Sequence, residues 1–158
     1  MNRKEYERLR PFINTGDIFG TAEDAFFSKA IRFFTRSEIS HVGIFYWEGD
    51  HLYIAEAMEG VGVQILPASH QIQRFKFVGR IDTDRIPKEI VDNIITDSGL
   101  KYDTLGALLA PFKNLKNKKV FCSEWVAKIL GIEFKRMKRG ILPIDIVNKC
   151  DTILFPES

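Results

Sequence analysis

The stretch "SHVGIFYWEGDHLYIAEAMEGVGVQILPA", residues 40–68, decides the fold. It is rich in β-branched and aromatic residues and is punctuated by Gly49-Asp50 and Gly60, so it reads as three successive strands in an antiparallel meander. Two polar residues interrupt its apolar runs. His41 opens "HVGIFYW", and Glu56 sits inside "LYIAEAM", where Leu52 and Ile54 share its face. An unpaired carboxylate on a buried strand face is costly. Glu56 therefore either stands in water on an edge strand or has a buried partner.

Side chains alternate along strands and cross-strand pairs face one another, so the first turn tests whether His41 is that partner. A four-residue "WEGD" loop pairs Tyr46 with His51 and sets His41 directly opposite Glu56. A two-residue "GD" turn pairs Glu56 with Gly43 and leaves His41 diagonal to it on the same face. An odd-length loop turns Glu56 to the other face and separates the two.

Upstream, "KEYERLR" (4–10) reads as a short polar helix ended by Pro11, and "GDIFGT" (16–21) as a short strand. "AEDAFFSKAIRFFTR" (22–36) is an amphipathic helix pattern with acids early and bases late, its Phe stripe assigned to the core. Downstream, "RFKFVGRID" (74–82) supplies a fourth strand. From Pro87 the period changes. "PKEIVDNIITDSGL" (87–100) predicts a helix with Pro at its first position and Gly99 as its stop. "DTLGALLAPF" (103–112) predicts a second helix with Asp103 as N-cap, and "CSEWVAKILG" (122–131) a third closed by Gly131. "LPIDIVNKC" and "TILF" add a last helix and strand. Strands followed by helices, without βαβ alternation, indicate an α+β fold. With 158 residues, 45% of them hydrophobic, one domain over residues 1–158 is expected.

Several function classes fall away on composition and motif. "MNRKEYERLRPF" has no apolar signal region, and the longest apolar run, "LGALLAPF" (105–112), is far short of the ~20 residues that cross a bilayer. A soluble, cytoplasmic protein without an integral membrane segment is expected. The net charge of +2 does not point to nucleic acid, and the basic runs "KNLKNKK" (113–119) and "KRMKR" (135–139) read as solvated segments. No C-x-x-C, H-x-x-x-H or P-loop lysine appears, so no metal and no cofactor is expected.

Cys122 and Cys150 are the only cysteines and are expected as thiols. Cys122 falls in the first turn of its helix, where N–H groups and the macrodipole favour a thiolate. Yet Cys122, Trp125, Val126 and Ile129 also follow the spacing of a buried helix face, so packing and chemistry both account for it. A cysteine nucleophile needs a histidine base and a group that orients it. His51 and His70 fall at a hairpin edge and in the polar "PASHQIQ", which leaves His41 and Glu56. Cys150 keeps a structural reading.

In this order, "GDIFGT", "SHVGIFY", "AEAMEGVGV", "KYDTLGAL", "FCSEWVAKILG" and "LPIDI" resemble the circularly permuted branch of the papain-like NlpC-type cysteine hydrolases, the YiiX-like group, over positions 16 to 147. The resemblance implies a permuted papain-like fold, an antiparallel sheet or open barrel packed against helices. It implies His41 as general base, Glu56 as orienting residue, Cys122 as nucleophile and Tyr102 as an aromatic beside the substrate cleft. The activity it implies is a thiol amidase or peptidase acting on a small peptide or cell-wall-type amide. Lipid acyl transfer or thioester hydrolysis is the alternative on the same scaffold, although "FCSEWV" lacks the Asn and His of the N-C-E-H-F motif of that lipid group. A non-catalytic binding protein that keeps the fold is the third.

Overall fold

The computed structural model of the chain describes residues 1–22, 37–101, 121–134 and 139–154. The helix expected over 22–36, the one over 103–112, Tyr102 and most of both basic runs lie outside them.

Helix α1 (Arg3–Leu9) opens with a capping box between Asn2 and Glu5. Pro11 does not simply end it. The chain tightens into a 3-10 turn, Arg10–Phe12, whose early position tolerates a residue without an N–H. Strands β1 (Ile18–Thr21), β2 (His41–Glu48), β3 (His51–Met58) and β4 (Gly62–Pro67) follow, with β5 (Phe75–Arg80) after two 3-10 turns, Ala68–His70 and Ile72–Arg74. Helix α2 (Pro87–Asp97), α3 (Cys122–Leu130), the short α4 (Pro143–Val147) and β6 (Asp151–Leu154) complete the described elements.

The six strands form one antiparallel open sheet in the order β4-β3-β2-β1-β5-β6. The expected meander is β2-β3-β4, and its first turn is the two-residue one: Glu48 pairs with His51 around Gly49-Asp50, with Gly49 at φ 56. The fourth strand does not extend the meander. β5 returns to the far side of β1 and β6 pairs with it at the edge.

Alternation gives the sheet two apolar faces. Val42, Ile44, Tyr46, Ala55 and Ala57 meet Trp125, Val126 and Ile129 of α3, together with Ile90 and Ile94 of α2. Phe19, Phe45, Leu52, Ile54 and Phe75 face the other way, under Tyr6 and Leu9 of α1. Helix α3 lies against β2 and β3, and ends at Gly131, whose φ of 66 is the left-handed cap that glycine adopts without cost. Buried Asp97 fixes α3 to α2, accepting from Trp125 Nε1 at 3.1 Å and from Lys128 Nζ at 2.9 and 2.6 Å. Among the described residues no helix is long and apolar enough to cross a membrane.

Gly43 is where the sheet leaves no room for a side chain. A Cβ there would stand 2.3 Å from Phe19 Cζ and 2.7 Å from the Ala55 carbonyl oxygen. Gly43→Ala is expected to destabilise by about 1–3 kcal/mol, the usual cost of overpacking, in urea denaturation. An unchanged midpoint would mean that the Phe19 ring moves freely and that this packing does not hold the sheet.

Candidate active site

With the two-residue turn, the β2–β3 register continued by one residue sets Glu56 opposite Gly43, and His41 diagonal to Glu56 on the same face. Diagonal neighbours, roughly 7–8 Å apart at the backbone, are within reach of long side chains. Here they meet, with His41 Nε2 donating to Glu56 Oε2 at 2.8 Å. Both are enclosed, His41 with 4% and Glu56 with 0% of its surface exposed. Phe19 lies beside the imidazole, ring centroids 6.5 Å apart.

Cys122 is the first residue of α3 and is 1% exposed. It packs in the layer between α3 and the sheet, whereas His41 shares the opposite layer with Phe19. Each residue begins its element, and the charge of Cys122 acts on the same imidazole that Glu56 holds, raising its affinity for a proton. The helix start is suited to negative charge there: Phe121 is the N-cap and makes no side-chain cap hydrogen bond.

Electrostatics follow from this enclosure. Burial alone pushes His41 down, since an imidazolium loses its hydration. The charge and hydrogen bond of Cys122, then those of Glu56, outweigh that and raise His41 from 6.5 to about 10. Burial pushes Glu56 up, but His41 and then Arg74 overcome it and hold the carboxyl down at about 2. At neutral pH the pair is imidazolium and carboxylate.

Two residues that the sequence reading did not single out complete the surroundings of Glu56. Arg74, from the 3-10 turn before β5, donates from Nη1 to Oε1 at 2.9 Å and from Nη2 to Oε2 at 3.0 Å. Gln64, paired with Glu56 across β3–β4, donates from Nε2 to Oε1 at 3.0 Å. Gln64 was within reach of the register argument, carried one strand further. Arg74 was read as opening the fourth strand, but it closes the 3-10 turn Ile72–Arg74 and the strand begins at Phe75, so alternation gave no sign of where its side chain goes. Tyr102 is outside the described residues. His51 and His70 are exposed, and Cys150 is half-buried, its thiol pushed up to about 12 by burial and by the charges of Asp17 and Asp151. Among the described residues no group of three or more His, Cys, Asp or Glu side chains is placed to hold a metal ion.

The open antiparallel sheet with helices packed on its faces is an α+β fold that is also found in a solved structure. One similar solved structure is the crystal structure of the metalloprotein YiiX from Escherichia coli O157:H7, designated DUF1105. The two superpose with a TM-score of 0.71 over 91% of this chain and 98% of that one, at 20% sequence identity, a likeness that speaks for the fold. No family profile matches the sequence, and no curated protein matches it significantly.

Proposed function

We propose that the protein is a cysteine-dependent hydrolase, an amidase or peptidase, in which Cys122 is the nucleophile, His41 the general acid and base, and Glu56 the residue that orients His41. The observation that carries this reading is an enclosed imidazole held by Glu56 at 2.8 Å on Nε2 and pushed up in pKa by Cys122 at the start of α3. A purely structural cysteine has no use for a histidine held in this way.

The thiolate of Cys122 attacks an acyl carbonyl, and the new C–S bond forms while the oxyanion faces the first turn of α3. His41 gives its proton to the leaving nitrogen or oxygen as that bond breaks. The now neutral imidazole takes a proton from water as the water attacks the thioester carbonyl, and the C–S bond breaks to return the thiolate–imidazolium pair. Throughout, Glu56 accepts from Nε2 and keeps the ring turned to the sulfur. The substrate class this suits is a small peptide or cell-wall-type amide. A metal such as that of the YiiX metalloprotein does not fit the described side chains here, because both oxygens of Glu56 are already held by the Arg74 guanidinium.

Thiol alkylation tests the reading without a known substrate. With iodoacetamide at pH 6–7, Cys122 is expected to react faster than Cys150, although it is the more deeply buried of the two. His41→Ala is expected to abolish the difference. Equal rates at the two cysteines, or a Cys122 rate indifferent to His41→Ala, would remove the activated thiol and leave a binding protein.

A further inference from the structure

Glu56 is an unusual choice of orienting group for so enclosed a place. A carboxylate with no exposed surface, set behind an imidazole that itself faces a thiol, loses its hydration entirely. Among the described residues, the charged and polar groups that face it are His41 from β2, Arg74 from the turn before β5 and neutral Gln64 from β4, and Cys122 of α3 acts in turn on His41. Arg74 is the one permanent cation among them. Its fork takes one oxygen with each terminal nitrogen, the bidentate arrangement that fixes a carboxylate's plane as well as its charge. The fork is itself braced, since Nη1 also donates to Gln71 Oε1 at 3.0 Å.

We infer that Arg74 is a positioning residue of the site: its guanidinium grips both oxygens of Glu56 and so holds the carboxylate in the place and plane from which it orients His41. The inference rests on the Cys-His-Glu reading given above. The Glu56 carboxylate then stands between two cations, the imidazolium of His41 and the guanidinium of Arg74. Taking the guanidinium away removes one positive charge from beside the carboxylate, which favours protonation of the acids of the site. A lysine in the same place keeps the charge but offers a point rather than a fork.

The measurement is the rate of Cys122 alkylation against pH, mapped by mass spectrometry, in the wild type, R74Q and R74K, with folding checked by near-ultraviolet circular dichroism. In R74Q the acid limb of the profile is expected to move up by about one pH unit or more, and in R74K by a smaller amount in the same direction. A fall in rate at every pH with the midpoint unmoved, in R74Q and R74K alike, is what a merely structural residue gives and overturns the inference. Should R74Q not fold, R74K decides alone, because its midpoint either rises or stays with the wild type. A wild-type Cys122 no faster than Cys150 overturns the cysteine hydrolase reading and Arg74's role with it. A fast wild-type Cys122 whose midpoint both variants leave in place overturns Arg74's role only.

Discussion

Cys122→Ala and His41→Ala are each expected to remove hydrolysis, lowering kcat on the order of 10⁶-fold, with the double variant no worse than either single one. The near-equality follows from the mechanism. A thiol without its imidazole is not delivered as a thiolate, and an imidazole without its thiol has nothing to activate, so the two act as one unit. Glu56→Gln is expected to cost less, on the order of 10⁴-fold, because an amide still holds the ring in place but no longer offsets its charge. The assay is a screen of acyl-amide peptides against acyl lipids, with Cys122→Ala as the blank. His41→Ala activity within tenfold of the wild type sinks the assignment, and lipid turnover without amide turnover moves the protein to acyl-lipid chemistry.

Glu56→Ala is expected to destabilise the protein by about 3–5 kcal/mol, because it leaves the charges of Arg74 and His41 in the interior without the carboxylate that both bind. The loss also depends on pH, with a sign set by the two shifts. Glu56 is held at about 2 against an ordinary 4.5, so its contribution is fully present above 4.5 and disappears as pH falls toward 2. His41 is raised to about 10 from 6.5, so its contribution is fully present below 6.5 and is lost as pH rises toward 10. From this pair alone, stability is flat between pH 4.5 and 6.5. Urea denaturation should show the gap between wild type and Glu56→Ala at its widest there and narrowing toward pH 2. A gap that stays constant from pH 6 to pH 2.5 would show that Glu56 is not ionised in the native protein.

Much of this architecture is legible in the residues. Gly49-Asp50 between two apolar runs marks a hairpin, and the two-residue turn found there, one of the even lengths considered, keeps His41 and Glu56 on one face. Pro87 and Gly99 bracket α2, and the spacing of Cys122, Trp125, Val126 and Ile129 describes the buried side of α3. Even the four-residue loop, which the structure replaces with a two-residue turn, leads to the same pair of residues. Direct opposition and diagonal placement differ by two positions, and a long glutamate side chain spans either.

What the sequence alone determined is local: strands from alternation, helices from period and caps, and the oddity of His41 and Glu56 in apolar strands. Those properties depend on neighbours a few residues away, and short-range geometry decides them. Only the tertiary structure decided that β5 returns beside β1, that the first turn of α3 reaches the end of β2, and that Arg74 and Gln64 close around Glu56. Contacts between distant segments have no period to announce them. Arg74 reads as an ordinary basic residue at the start of a strand until the fold brings a fully buried carboxylate within 2.9 Å of it.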